Sequence, residues 1–400
     1  MILLRVTLAF LVMFLLPDWY IYRIYLRDVR RRWVKRLFWA PTVLLLLALA
    51  VIFIFHNAYK DVTGTFLVIC LCVAIPKVVF TLSSLSVRLF GWVVRRSYIP
   101  YNHDTWKRVG ILLCSVIALV SFVYVVFGAV KGKENFQVRE VTFTSPDLPD
   151  AFNGYRILQI SDLHIGSWAG NGDAVRKAVG ICNAQEADLA VFTGDLVNNY
   201  ADELTEFMPI LSQLKAADGV YSILGNHDYA MYSRWESEEA RQANIDSLVS
   251  REQEMGWQML NNRHTVLHRG NDSIALAGVE NSGKPPFPDK GNLPEALRGT
   301  DGMFKILLSH DPSHWRREVL PESDVQLMLA GHTHDMQISL FGFSVSKFIY
   351  PEHNGLYLEG RRGLYVNIGL GYVLFPMRLG AWPEITVITL KKGNNHSINQ

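Results

Sequence analysis

The chain has 400 residues, of which 50% are apolar and 19% charged, with a formal net charge of +2. Near-neutrality excludes a polyanion-binding tail, so no nucleic-acid partner is expected. Four cysteines, three of them inside apolar runs, exclude a disulfide scaffold, and the length exceeds one ordinary domain.

Apolar runs close to the roughly 20 residues that cross a bilayer recur four times. They cover about 3–22, 37–55, 65–85 and 109–130, so residues 1–132 are expected to form a transmembrane helical domain. The first run reads as a span and not as a cleaved signal. Arg5 is its only early charge, no small-residue cleavage site follows, and "PDWYIY" has the look of an interfacial aromatic belt. The stretch Arg23–Arg36 carries seven Lys/Arg and Arg88–Arg108 carries five, whereas "HNAYKDVTG" between them carries one. Basic loops stay in the cytoplasm, which puts the C-terminal part outside it. Lys77, beside Pro76 in the third run, is a costly charge in lipid and is expected to snorkel or to face another helix. Cys70 and Cys72 read as packing residues.

From about Val138 the texture changes to short strands ended by polar, glycine-rich turns. "YRILQIS", "ADLAVFT", "GVYSIL", "SIALAGV", "FKILLS", "VQLMLA", "GLYVNI" and "EITVITL" are rich in Val, Ile, Leu and Tyr. Helical patterns intervene at Asp173–Ala184, Leu204–Ala216 and Glu236–Met255. Such mixing indicates α/β layers over residues 138–392, and 393–400 reads as a frayed tail.

Five strands end in metal-ligand residue types. "QISDLHIG" offers Asp162 and His164, and "VFTGDLVNN" offers Asp195. "SILGNHDY" offers Asn226, His227 and Asp228, "LLSHDP" offers His310, and "LAGHTHDM" offers His332 and His334. Ligands collect at the carboxyl ends of strands in layered sheets, where turns from several strands converge. Continued extension would turn residues i and i+2 to one side, pairing Asp162 with His164 and His332 with His334. Two divalent cations about 3.5–4 Å apart need a bridging ligand, and the Asp195 carboxylate is the natural candidate. Thiol-free N/O donors suit Mn, Zn, Fe or Co. A phosphoester spanning both ions would be polarised while a metal-bound hydroxide attacks in line.

The ordered set Asp-x-His, Gly-Asp, Gly-Asn-His-Asp, His, Gly-His-x-His resembles the calcineurin-like metallophosphoesterase superfamily over about Glu140–Leu390. "GLG" at Gly369–Gly371, followed by a closing "PEITVITL" strand, resembles the membrane-anchored bacterial branch. The resemblance implies a four-layer α/β/β/α sandwich of two mixed sheets and a bacterial inner-membrane location, where the catalytic domain is expected, from the loop charges, to be extracytoplasmic. It implies that Asp162, His164, Asp195 and His334 hold one metal, and Asp195, Asn226, His310 and His332 the other. It further implies that His227 protonates the leaving oxygen, with Asp228 orienting its ring, and that Asn367 in "VNIG" supports the site from behind. His264, His268, His314 and His353 are expected in loops or on exposed faces, and Trp168 is weighed as a substrate contact against an exposed loop tip.

Departures narrow the activity. The phosphate-clamping arginine of the phosphoprotein phosphatases is missing from "GDLVNN", and Asn198 occupies the position of the tyrosine ligand of purple acid phosphatases. The phosphodiesterase, nucleotidase and pyrophosphatase branch remains. The membrane domain favours a lipid-linked phosphoester, because only "KGKENFQ" separates the last span from the first soluble strand. The alternatives are a soluble phosphodiester or nucleotide, or an inactive membrane receptor or scaffold.

Overall fold

The computed structural model describes residues 2–55, 62–97 and 102–393, so the tail expected at 393–400 lies almost wholly outside the described residues. The fold falls into two compact units, residues 1–131 with 374–377, and residues 132–373 with 378–400.

The first unit is helical. Helix α1 covers Ile2–Ile21, α2 Arg32–Ile54, α3 Thr63–Arg96 and α4 His103–Val130. In lipid, only structures that satisfy every backbone group internally are tolerated, and long apolar helices do so. Among the described residues, Arg32–Ile52, Thr63–Arg96 and Asp104–Val130 are long and apolar enough to cross a membrane. Helix α1, 20 residues long, coincides with the first apolar run. Helix α3 outlasts its expected span by a further turn or more at its C-terminal end, carrying Arg88, Arg95 and Arg96 on one continuous helix. The Asn102 side chain caps α4 by accepting from Thr105 N at 3.2 Å.

Lys77 does not snorkel. Its ammonium lies 2.7 Å from Asp18 Oδ1, donates to Thr42 Oγ1 at 2.8 Å, and stands 5.2 Å from the centre of the Phe38 ring. Thr42 Oγ1 in turn donates to Asp18 Oδ2 at 2.5 Å. Asp18, which the aromatic belt placed at an interface, is wholly buried. One ion pair and one hydroxyl thus join α1, α2 and α3, as intramembrane charges require.

The second unit is built from two six-stranded mixed sheets. Its strands are β1 Gln137–Ser145, β2 Arg156–Ile160, β3 Leu189–Phe192, β4 Val220–Ser222, β5 Trp257–Met259, β6 Arg263–Arg269, β7 Asp272–Gly278, β8 Phe304–Leu308, β9 Leu327–Ala330, β10 Gly355–Glu359, β11 Arg362–Val366 and β12 Glu384–Lys392. One sheet runs β1-β12-β2-β3-β4-β5 and the other β10-β11-β9-β8-β7-β6. In the first, β2 to β5 are parallel and β12 is antiparallel to β2. In the second, β7, β8, β9 and β11 are parallel, with antiparallel β6 and β10 at the edges.

Alternation assigns the faces. Ile157, Val191, Ile306, Leu308, Leu327 and Leu329 form the core between the sheets. Their neighbours Leu158, Ala190 and Phe192 pack outward with Val175, Val179 and Leu248. Those last three lie on α5 Gly172–Asn183 and on the helix Glu238–Glu254. On the other flank, Leu307, Met328 and Ala330 pack with Trp315 and Val319. Both faces of the central strands such as β3, β8 and β9 are buried, which is why they read as continuous apolar runs. The four-layer α/β/β/α expectation is met. Leu204–Ala216 departs from it: a Pro209-started helix covers only Met208–Leu211, after a single 3-10 turn at Ala201–Leu204.

The buried pair in the helical unit carries a stability prediction. Lys77→Met strands the Asp18 carboxylate in a dry environment and is expected to cost about 3–5 kcal/mol. Asp18→Asn combined with Lys77→Met should recover most of that loss. Thermal unfolding of the detergent-solubilised chain checks both, and a double variant no more stable than Lys77→Met would contradict the pairing.

Candidate metal centre

The loops that carry the candidate ligands leave the C-terminal ends of β2, β3 and β4, adjacent in one sheet, and of β8 and β9, adjacent in the other. All nine expected residues, Asp162, His164, Asp195, Asn226, His227, Asp228, His310, His332 and His334, sit on these five loops. The chain does not stay extended there. Asp162, His164, Asp195, His332 and His334 have φ of 50°, 46°, 60°, 75° and 49°, in the left-handed region. Such a conformation costs an L-residue with a Cβ on the order of 1–3 kcal/mol. The i, i+2 pairing expected from extended geometry therefore fails for one motif: His334 joins Asp162 and His164, whereas His332 joins Asp195 and His310. Close approach makes two glycines necessary. A Cβ on Gly225 would overlap Asp195, and one on Gly331 would overlap Ser161 and Asp162.

Potential ligand atoms of Asp162, His164 and His334 lie within 4.8 Å of one another, as do those of Asp195, His310 and His332, and of His164, Asp195 and His227. His334 Nε2 is 3.2 Å from Asp162 Oδ1 and 3.0 Å from His164 Nε2. His310 Nε2 is 3.1 Å from Asp195 Oδ2 and 3.3 Å from His332 Nδ1. Asp195 Oδ2 also lies 3.7 Å from His164 Nε2, so this one oxygen is shared by both groups. Its partner Oδ1 is already engaged, accepting from His227 N at 2.8 Å. Among the candidate ligands, two buried atoms have no hydrogen-bond partner within the described residues: Asn226 Oδ1 and His164 Nδ1. The Asn226 amide is oriented by donating Nδ2 to Tyr232 OH at 2.9 Å, which leaves the lone pairs of its oxygen open to a cation.

The electrostatics suit cations. Burial by itself would raise the Asp162 carboxyl, but His334 and His310 hold it below the usual carboxylate range. Asp195 is likewise held well below that range despite burial, by His310 and His227. Burial lowers His164 and His332, favouring the neutral imidazole that has a lone pair to offer. His310 is opposite: burial lowers it, yet Asp195 and Asp162 push it up to about 10. The site thus favours positive charge beside Asp195, and clustered imidazoles, carboxylates and an orphaned amide oxygen fit divalent N/O-ligated ions.

His227 lies at the edge of these groups, its ring 4.7 Å from that of His164. Its Nδ1 lies 2.9 Å from Asn198 O, and a carbonyl only accepts, so Nδ1 carries a hydrogen and Nε2 is the variable position. The expectation that Asp228 orients this ring is not met. Asp228 instead accepts from the backbone N–H groups of Asp195, Leu196, Val197 and Gly225 at 2.8–3.1 Å. Burial and the Asp195 charge push its carboxyl up to about 7, against the pull of those amides. Asp228 is the clasp that holds the Gly-Asp loop to the Gly-Asn-His-Asp loop.

Supporting residues come from elsewhere. Asn367 is buried, donates to Thr386 Oγ1 at 2.9 Å and accepts from Gly369 N at 2.7 Å, fixing the turn behind Asp162. Ser161 Oγ donates to Asp162 Oδ2 at 2.5 Å, and Thr193 O lies 2.7 Å from His310 Nδ1. Two partners have no signal in motif spacing. Arg378, fully buried, donates Nη2 to His334 Nδ1 at 3.1 Å, and Tyr350 OH lies 2.8 Å from His332 Nε2. Asn198, at the tyrosine position of the other branch, turns its side chain to Ser167 at 3.1 Å.

Two expectations outside the centre are corrected. His314 is fully buried, between Ser309 Oγ at 2.9 Å and Glu318 Oε2 at 2.8 Å. Trp168 is neither a substrate contact nor an exposed tip: it is 1% exposed and donates Nε1 to Leu163 O at 3.0 Å.

Comparison with known proteins agrees with this geometry. A family model described as "Calcineurin-like phosphoesterase" matches residues 155–336, and one described as "Probable Calcineurin-like phosphoesterase, transmembrane domain" matches residues 4–133. The chain is 33% identical over 270 residues to the "Uncharacterized metallophosphoesterase YkuE" of Bacillus subtilis, covering 64% of this chain and 86% of that one. It is 29% identical over 381 residues to the "Transmembrane protein with metallophosphoesterase domain" of Danio rerio, covering 88% and 80%. It is 24% identical over 401 residues to the "Uncharacterized metallophosphoesterase Cj0846" of Campylobacter jejuni, covering 98% and 99%. Relatives occur in vertebrates and bacteria alike, so the similarity extends beyond the bacterial branch.

The orphaned amide oxygen makes a direct prediction. Asn226→Ala should lower bound divalent metal by about one ion per chain, against about two in the unaltered protein. Elemental analysis of dialysed, metal-reconstituted protein reads this, and undiminished metal content would remove Asn226 from the ligand set.

Proposed function

The chain belongs to the calcineurin-like metallophosphoesterases that carry a transmembrane domain, and from that membership we propose that it cleaves a phosphoester or pyrophosphate bond borne by a membrane lipid, on the non-cytoplasmic side. It is a metal-dependent phosphoesterase with a transmembrane anchor. The observation that carries a two-ion reading is the sharing of Asp195 Oδ2 between the groups around His164 and His310. On this reading Asp162, His164, His334 and Asp195 would hold one ion, and Asp195, Asn226, His310 and His332 the other, with Mn, Zn, Fe or Co the favoured metals. Bound there, such a pair supplies Lewis acidity toward phosphoryl oxygens and a nucleophile at neutral pH.

The protein's own groups do the rest. Asp228 clamps the backbone of Asp195 and Gly225, so the two loops that flank the shared carboxylate keep one geometry. Asn198 O fixes the His227 ring through Nδ1, which leaves Nε2 to bear the proton that a departing alkoxide needs. Arg378 and Tyr350 hold the rings of His334 and His332 from behind.

Two observations favour a lipid. Three long apolar helices are more than a soluble substrate needs, and α4 ends at Val130 while β1 begins at Gln137. A connector that short favours a substrate that is itself held in the membrane. The distribution of Lys and Arg among the connecting segments supports the non-cytoplasmic side. A soluble phosphodiester or nucleotide is the competing substrate class.

Three outcomes are expected. Chelation should abolish hydrolysis and Mn or Zn should restore it. His227→Ala should lower kcat by about 10²–10⁴-fold with metal content unchanged. Product analysis on a membrane-lipid extract, run beside soluble nucleotides, should show cleavage of a lipid phosphoester. Preference for the nucleotides would sink the lipid assignment and leave the phosphoesterase intact.

A further inference from the structure

Between the centre and β10 the chain forms a loop whose polarity is reversed. Leu340, Phe341, Phe343, Val345, Phe348 and Ile349 are exposed, Phe341 completely and Phe348 to 79%. Ser344 and Ser346, interleaved with them, are buried. Both serines bond inward to the residue that follows His334: Ser344 Oγ donates to Asp335 O and Ser346 Oγ to Asp335 Oδ1, each at 2.7 Å. A loop surrounded by water would place its serines outward and its phenylalanines inward. The inward hydrogen bonds show that the reversal is a fixed conformation and not a frayed segment.

The tip adds a second observation. Leu340 and Phe343 exchange backbone hydrogen bonds, Leu340 N to Phe343 O at 2.9 Å and Phe343 N to Leu340 O at 3.0 Å. The two residues between them, Phe341 and Gly342, have φ of 53° and 79°. This is the two-residue hairpin turn in which Asn, Asp or Gly is the usual first residue. A bulky aromatic in the left-handed region is a genuine outlier. Phe341 bears that strain without any packing inside the protein to compensate it.

We propose that this loop is a membrane-docking element, seated in the acyl region of the leaflet whose lipid headgroups the metal centre addresses; the substrate part of this inference rests on the lipid reading above. Three features favour lipid over a protein occupant. The chain carries its own membrane spans, so a bilayer is always within reach. Residues 336–350 contain no Asp or Glu, and Lys347, exposed among the apolar side chains, is placed to snorkel toward a headgroup phosphate. The element is also joined to the chemistry, because its last residue, Tyr350, contacts His332 Nε2 and its inner serines hold the residue after His334. A leaflet taken up by the loop therefore brings phosphoesters to the edge of the centre.

The test uses the full-length chain, one copy per nanodisc of phosphatidylcholine and phosphatidylglycerol. A nitroxide is attached at Phe348→Cys and, as control, at Asp301→Cys, which lies just before β8 at the opposite end of the sheet from the centre. Signal from the native cysteines is measured separately and subtracted. The label at 348 is expected to collide with molecular oxygen and to be shielded from a water-soluble nickel chelate, while the label at 301 shows the reverse. A label at 348 as open to nickel as that at 301 overturns the proposal. So does shielding that appears only with several chains per disc, which would assign the surface to a second copy.

Activity then separates docking from substrate. Phe341→Ser with Phe348→Ser should slow cleavage of phosphatidic acid in vesicles by about tenfold or more and leave bis(4-nitrophenyl) phosphate in water nearly unaffected. Equal loss on both substrates would mean that the loop merely supports the centre, and the proposal fails. Shielding at 348 in a chain that cleaves no vesicle lipid would uphold the docking and end the lipid-substrate reading instead.

Discussion

Five side chains of the metal centre hang from backbone in the left-handed region, and most of the surrounding structure follows from that constraint. The strands bring Asp162, His164, Asp195, His332 and His334 to one edge, but continued extension would keep His332 and His334 side by side, whereas the folded chain sends them to different groups. Turning sharply within two residues of each strand gathers their donor atoms instead. The cost recurs at every such position. It is met by what lies behind: central strands buried on both faces, glycines where a Cβ has no room, and the Asp228 carboxylate taking four backbone amides at once. Cations that bind the folded centre and not the unfolded chain lower the free energy of the fold by the same linkage that makes the chemistry possible.

Strand ends and ligand types were legible because both are local. A run of four or five apolar residues ending in Asp, Asn or His identifies β2, β3, β4, β8 and β9 from the sequence alone. What was not legible was the backbone beyond those ends. Spacing alone pairs His332 with His334, whereas the left-handed turn sends them to different groups. Adjacency to His227 suggested that Asp228 serves that ring, but orphan amides at the turn compete more strongly for a buried carboxylate. Arg378 and Tyr350 come from segments with no motif, and only the folded chain brings them to His334 and His332. His314 misled for the converse reason: its buried position depends on Ser309 and Glu318, partners that hydropathy does not reveal.

The helical unit shows the same division. Length and apolarity outline its helices, since lipid leaves the backbone little choice. Asp18 was hidden by its company, because an acid between Pro17 and Trp19 looks like part of an interfacial belt. Its wholly buried position beside Lys77 and Thr42 turns two separately costly residues into one neutral, hydrogen-bonded group. Such a group disfavours any arrangement of α1, α2 and α3 that parts the charges, so it specifies packing where apolar surfaces would slide.

The reversed polarity of residues 340–349 is intelligible only in a chain of this organisation. On a freely diffusing enzyme the same surface would promote aggregation, because exposed aromatic clusters find one another. A chain already held at a membrane by long apolar helices meets a leaflet far more often than it meets a second copy, the same tethering that raises effective concentration in linked binding modules. Under that condition an outward Phe341 at a strained hairpin tip ceases to be a defect. Its strain is borne by the loop, its apolar surface is covered by lipid, and the inward serines keep the residue after His334 in register. Membrane attachment and metal chemistry then meet in one segment, the fifteen or so residues between His334 and Tyr350.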